Sequence, residues 1–234
     1  MNIKKPTFFI GYDSKEDIAY RVCKQSLLKK TSISINVKSL KLYELIAKKY
    51  YKRLVDPLAS TEFTYSRFLV PYLMNFSGWA VFCDCDFIFL DDVKNLFTNL
   101  SDEKAVYCVK HDYTPKEKHK MDGQQQTIYP RKNWSSFIVF NCSHPSNKAL
   151  NLDAVNKEPG SFLHQFKWLK DSEIGDLDER WNWLEGWTSL HNNLKPYAVH
   201  YTRGGPWFDE WQDVEFAKEW FLERDVYLNK KFKT

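Results

Sequence analysis

Several things are missing from this chain, and each absence excludes something. No stretch approaches the ~18 uninterrupted apolar residues of a membrane-spanning helix, so no transmembrane segment is expected. The N-terminus, Met1-Asn2-Ile3-Lys4-Lys5-Pro6, has no long apolar core and does not read as a secretory signal. The five cysteines (Cys23, Cys83, Cys85, Cys108, Cys142) are odd in number and contain no CxxC pair. That argues against a disulfide framework and against a structural zinc site. They read as reduced, buried thiols, and the expected location is cytoplasmic. On that reading the Asn-x-Ser triplets at Asn75, Asn99, Asn133 and Asn141 are accidental. No nucleic-acid-binding motif accompanies the formal net charge of +4, so nucleic acid is not an expected partner. No internal repeat and no linker break the 234 residues, which read as one domain spanning 1–234. The sequence does not disclose the oligomeric state.

Lysines and aromatics are abundant. Lys29-Lys30, Lys48-Lys49 and the tail Lys230, Lys231 and Lys233 either favour a peripheral contact with an anionic surface or form a solvated face. Aromatic residues make up 17%, with nine Trp, thirteen Tyr and seventeen Phe. Sugar rings present flat C–H faces to such side chains, although most of them fill cores. Trp183, Trp187, Trp207 and Trp211 are candidates for such stacking, with core packing the alternative for at least half of them.

The spacing of apolar residues gives an α/β reading. Residues 7–10 form a short strand ending in Gly11-Tyr12-Asp13-Ser14. Residues 17–30 have helical spacing, with Asp13 or Ser14 as cap. Residues 33–40 are a second strand. This β-α-β order points to a parallel sheet flanked by helices. Residues 43–51 read as a short helix. Residues 63–73 read as another, with Pro71 at a kink or in its first turn. After 79–90 come a short helix (93–97) and strands at 105–109 and 136–141. A strand at 197–201 and an amphipathic helix over 209–224 close the chain. Residues 110–132 are polar and lack period, and a segment of that kind is either functional or mobile.

One run carries chemistry. Residues 79–90 are apolar and rich in aromatic and β-branched side chains, except for Asp84 and Asp86. Charge inside a buried strand is costly unless paired. In an extended chain, residues two apart point the same way. The pair can therefore aim at one hard cation, Mg²⁺ or Mn²⁺, or else simply reach water at a strand end. The Gly-Tyr-Asp turn and His200 also stand at strand ends, where open α/β sheets bind ligands, so the three pieces can share a crevice.

These pieces together resemble the DxD-containing glycosyltransferases of the GT-A fold, closest to family 8 (glycogenin and bacterial galactosyltransferases). The resemblance is carried by Ser66 to Leu73 with Arg67, by Phe82 to Phe89 followed by Asp92-Val93 and Leu96-Phe97, by Trp181-Asn182, and by His200-Tyr201 before Gly204-Gly205-Pro206-Trp207. It implies a single-domain, Rossmann-like nucleotide-diphospho-sugar transferase with a mixed central sheet flanked by helices. It implies Mn²⁺ (or Mg²⁺) held by Asp84, Asp86 and His200 and bridging the diphosphate of a UDP-sugar. In the same scheme Arg67 approaches the diphosphate or donor sugar. Gly11, Tyr12 and Asp13 meet base and ribose, and Cys85, Gly204 and Gly205 complete the donor site. Gln165 is the residue near the reacting sugar face. The implied activity is transfer of a hexose to a glycan or glycolipid acceptor with retention.

Three departures from that pattern stand out. The family's Lys before the final Pro-Trp is replaced by Gly205, with Arg203 nearest as a substitute. The acceptor-side motif corresponds to Trp134-Ser135-Ser136. The Asp-Gln-Asp motif is reduced to His164-Gln165-Phe166. An inverting enzyme would need a base, and nothing selects among Asp112, Asp122 and Asp171. His111-Asp112-Tyr113 fits a donor-sugar contact or a helix cap. Residues 110–132 could serve as a lid. The alternatives are a phosphohydrolase of the haloacid-dehalogenase type, which also places DxD after an apolar strand, and a non-catalytic nucleotide-sugar or glycan binding module.

Overall fold

A computed structural model describes residues 5–54, 56–57, 59–112, 130–188 and 194–231. β1 (Thr7–Tyr12) leads through a 3₁₀ turn, Ser14–Glu16, into α1 (Asp17–Lys29), β2 (Asn36–Lys41) and α2 (Leu42–Ala47). β1 and β2 pair in parallel, as the β-α-β reading requires. Asp13 caps the 3₁₀ turn by accepting from the Lys15 N–H. Ser66–Leu69 is a 3₁₀ turn that gives way to α3 (Val70–Leu73). Pro71 lies in the first turn of α3, where its missing N–H has no helical partner to lose.

β3 (Trp79–Cys83), β4 (Phe87–Phe89), β5 (Val106–Cys108) and β6 (Phe137–Asn141) follow, then α4 (Leu152–Lys157) and α5 (Gly160–His164). β7 (Ile174–Asp176), β8 (Trp183–Leu184) and β9 (Ala198–His200) precede α6 (Ala217–Lys231). The closing helix starts later than its spacing indicates. Phe216 adopts φ 61°, which a right-handed helix cannot contain, so α6 begins just beyond it.

Two sheets result. Six strands run in the order β2-β1-β3-β6-β5-β7, and three form β4-β9-β8. In the larger sheet β1 is parallel to β2 and β3, while β6 is antiparallel to β3 and β5. Every residue of β3 and β6 is buried, as inner strands covered on both faces demand. α1 turns Ala19, Tyr20, Val22, Cys23, Ser26 and Leu27 inward and packs on α6 and β4.

The single strand expected through 79–90 is in fact two strands. Asp84 N–H still donates to the Ser136 carbonyl beside β6, at 3.0 Å. Two residues on, the Asp86 carbonyl accepts from the Tyr201 N–H beyond β9, also at 3.0 Å. The chain leaves one sheet and joins the other across Asp84-Cys85-Asp86. The two carboxylates thus stand at a seam rather than inside a strand, where no partner could reach them. Among the described residues no helix is long and apolar enough to cross a membrane. All five thiols are free and buried. Most of the polar 110–132 segment, with Asp122, lies outside the described residues, and so does the end of the lysine tail.

Candidate active site

The seam opens into a cavity of about 470 Å³, a size typical of small-molecule sites. Asp84, Asp86 and His200 meet at one end. One ligand atom from each lies within 4.8 Å of the others. Three different devices place them. Asp84 is held by Arg67, whose Nη1 lies 2.8 Å from Asp84 Oδ1 and donates to the Ser135 carbonyl at 2.8 Å. The Arg67 side chain is only 6% exposed, lies over the Phe63 and Phe82 rings, and donates through Nε to the Thr64 carbonyl. Asp86 is fixed through its backbone bond to Tyr201. His200 faces Phe87 across the β4/β9 ladder and stacks on its ring at 4.4 Å.

The state of His200 follows from Asn182. The Asn182 amide donates to the Asn133 carbonyl (3.3 Å) and to Ser136 Oγ (2.9 Å). A carbonyl can only accept, so the NH₂ end of Asn182 points there and Oδ1 points at His200 Nδ1, 3.0 Å away. Nδ1 therefore carries a proton, and Nε2 faces Asp86 Oδ2 at 3.3 Å. Two lone pairs at that distance repel unless positive charge lies between them, either a second ring proton or a metal ion. Asp86 Oδ1 is also buried with no hydrogen-bond partner among the described residues. Two carboxylates and one imidazole with an oriented outer partner suit Mn²⁺, which accepts both oxygen and nitrogen. Burial pushes the Asp86 carboxyl up, but the adjacent imidazole outweighs it and leaves the group below its ordinary range.

The remaining sequence candidates divide. Cys85, Gln165, Arg203 and Gly204 line the cavity together with Asp84, Asp86 and His200. Gly204 takes φ 134°, a conformation that L side chains rarely adopt. Gly11, Tyr12, Asp13 and Gly205 do not line it, and each has local work instead. A Cβ on Gly11 would lie 2.6 Å from the Phe63 ring, and one on Gly205 would lie 2.0 Å from Trp207. Tyr12 donates to Asp17. Asp13 accepts from the backbone N–H groups of Lys15 and Glu62. Of the tryptophans, Trp207 borders the cavity while Trp183 is fully buried. Arg67 is committed to Asp84, so the fork expected toward donor phosphate is spent in part on that carboxylate.

Sequence reasoning missed two of the charged lining residues, Glu16 and Lys132. Glu16 reaches the cavity from the turn before α1 and accepts from the Cys85 thiol at 3.5 Å. Burial first, and then the Asp86 charge, push its carboxyl up to about 8. Lys132 is a buried cation in the wall, flanked by Arg131 and Asn133, both at positive φ. Ser135 and His164, which the sequence offered only as departures from the family's motifs, both line the cavity and pair through Oγ and Nδ1 at 2.8 Å. His111, expected as a donor-sugar contact or a helix cap, is half-buried and is not among the lining residues; desolvation, followed by the nearby His200, pushes its imidazole down to about 3. Asn182, behind the lining, had a signal in the Trp181-Asn182 pair. Glu16 and Lys132 had none, because the residues with which they share the wall lie far away in sequence.

No family model matches the chain. Among solved structures, it superposes on the WbbM bifunctional glycosyltransferase with a TM-score of 0.65 at 16% identity, covering 96% of this chain and 50% of that one. It thus spans half the length of that neighbour. On the galactosyltransferase LgtC, solved with donor and acceptor sugar analogs, the TM-score is 0.58 at 11% identity, covering 94% and 95% of the two chains. The architecture, a mixed central sheet flanked by helices, is that of the GT-A-like glycosyltransferases. By sequence the chain is 50% identical over 232 residues to Protein CDI of Arabidopsis thaliana, covering 96% of this chain and 88% of that protein, and it belongs to the family of that protein.

Proposed function

We propose that this chain is a metal-dependent glycosyltransferase that takes a hexose from a UDP-sugar and passes it, with retention, to a glycan or glycolipid acceptor. The observation that carries the reading is the Asp84-Asp86-His200 cluster at one end of the cavity within this fold. Asp84, Asp86 and His200 would hold Mn²⁺ (or Mg²⁺). When bound, the ion supplies Lewis acidity that stabilises the leaving diphosphate. The protein's own groups do the rest. Arg67 anchors Asp84, and Asn182 keeps the Nε2 lone pair of His200 turned toward Asp86. Gly204 lets backbone approach the anionic ligand. Gln165, with Ser161 and Tyr65 on the far wall, offers hydrogen bonds to sugar hydroxyls. The buried thiols suit the reducing cytoplasm.

The dehalogenase reading fits less well. Here Asp-Cys-Asp follows the third strand, and Asp84 is tied to Arg67 instead of being free to act as a nucleophile. A thermal-shift panel of nucleotide-sugars with and without Mn²⁺ tests the proposal. Stabilisation by one UDP-sugar only with Mn²⁺, accompanied by its slow hydrolysis, is the expected result. Release of phosphate from a generic phosphomonoester with no nucleotide preference would overturn it in favour of a phosphohydrolase. Binding without cleavage, even with candidate acceptors, would leave a binding module.

A further inference from the structure

Six large apolar side chains are exposed among the described residues. Three of them, Tyr43 (57% exposed), Ile46 (52%) and Leu54 (91%), fall between residues 43 and 54. Tyr43 and Ile46 lie three apart on α2 and share a face. The helix is seated through Leu45, its one buried residue, so the Tyr43 and Ile46 face is left to solvent. Cations accompany this apolar surface. Residues 38–54 hold Lys38, Lys41, Lys48, Lys49, Lys52 and Arg53 against a single acid, Glu44. Glu44 is paired with Lys41, whose ammonium also lies 5.5 Å from the centre of the Tyr43 ring. Lys48, Lys49 and Lys52 are exposed and make no ion pair among the described residues. At the end of α2, Lys49 N–H donates to the Ile46 carbonyl and Tyr50 N–H to the Leu45 carbonyl, both at 2.9 Å, with Lys49 at φ 61°. Glycine usually takes that left-handed closing position. Here it carries an exposed ammonium.

We propose that α2 and residues 48–54 form a docking face for an anionic lipid surface. Exposed apolar side chains supply what enters the headgroup layer, and Lys48, Lys49 and Lys52 supply what meets its charge. Single exposed apolar residues are ordinary. Leu28, for example, stands beside Lys29, whose ammonium is already bonded to Glu223. A second copy of the chain fits this face poorly, because a two-fold contact would set the same cations against one another. The face is also tied to the cavity wall. Lys52 N–H donates to Asn156 Oδ1 at 2.6 Å. Arg53, between Lys52 and Leu54, donates through Nη1 to the Val155 and Glu158 carbonyls, each at 2.8 Å, and its guanidinium lies 4.0 Å from the centre of the Tyr65 ring. Tyr65 lines the cavity, so the docking face is a near neighbour of that wall. The docking itself is independent of what the cavity binds.

Vesicle flotation of the full chain tests the assignment, using phosphatidylcholine vesicles with and without phosphatidylserine and no nucleotide or metal. Wild type should float with the phosphatidylserine vesicles, stay behind with phosphatidylcholine alone, and be released by high salt. The triple variant Lys48→Gln, Lys49→Gln, Lys52→Gln should lower the partition coefficient roughly tenfold or more. The same change in net charge scattered over Lys94, Lys148 and Lys218, exposed on three other elements, should cost far less. Ile46→Ser with Leu54→Ser keeps every charge and should lower partitioning several-fold. All these side chains are exposed, so each variant should keep the wild-type unfolding midpoint. Wild type that ignores phosphatidylserine vesicles overturns the proposal. An equal loss from the two lysine triples also overturns it, since net charge alone would then explain the binding. Self-association of wild type that the Ser variant abolishes, without flotation, would give the face to a second copy instead. The nucleotide-sugar reading is tested separately by the Mn²⁺ panel, so the two can fail apart.

Discussion

Two aspartate-bearing turns sit side by side in this molecule, at the carboxyl ends of β1 and β3. The strands are parallel and paired in register, with Ile10 opposite Cys83. One turn is Gly11-Tyr12-Asp13, the other Asp84-Cys85-Asp86. In sequence both are candidates for one donor site, the first toward base and ribose and the second toward a metal ion. In the structure Asp13 gives one carboxylate oxygen to Lys15 N–H at 3.0 Å and the other to Glu62 N–H at 3.1 Å. Among the described residues Asp86 has no hydrogen-bond partner for one oxygen and sets the other against His200. The first carboxylate holds backbone with both of its oxygens, whereas the second bonds no backbone N–H that would occupy Oδ1 among the described residues. A position at a strand end permits a site, but the partners of the side chain decide whether one is there.

Four substitutions sharpen or break that contrast. Asp86→Ala should have the largest effect: turnover of a UDP-sugar falls on the order of 10²–10³-fold and the Mn²⁺-dependent thermal shift disappears, while circular dichroism stays native. Retained turnover in that variant would erase the distinction between the turns. Asn182→Ala frees His200 from its imposed tautomer and should weaken Mn²⁺ by about 10–100-fold, read by titration of the folded protein. Asp13→Ala should do the reverse of Asp86→Ala. Two backbone N–H groups lose their acceptor, at a cost of about 1–3 kcal/mol in urea unfolding, while Mn²⁺ affinity is unchanged. Glu16→Gln is the subtlest. With its carboxyl raised from 4.5 to about 8, folded wild type keeps a proton that the unfolded chain releases. In chelator, wild-type stability should therefore decline as pH rises from about 4.5 to about 8 and level off above. The variant should lack that decline, a difference visible in unfolding midpoints at pH 5 and pH 8.

Much of the molecule was legible in one dimension. The apolar runs at β1, β3 and β6, the spacing of α1, and two acids interrupting an otherwise apolar stretch are local patterns, and local physics dictates them. The strand period gave the right convergence of Asp84 and Asp86 for an incomplete reason. They meet because the chain changes sheets at Asp84-Cys85-Asp86, and nothing in the apolar run marks that break. The late start of α6 was equally invisible, since it turns on the backbone of Phe216 alone.

By itself, then, the sequence determined the layered α/β plan and offered His200 and the two aspartates as partners for one ion. Only the tertiary structure decided that Asp13 is spent on backbone, that Glu16 enters the cavity, that Asn182 dictates the proton on His200, and that Glu185 pairs with Arg203. Those choices depend on tertiary contacts between residues 18 to 69 positions apart. Side-chain periodicity along one strand reports which face is buried, but carries no information about what waits on the other side.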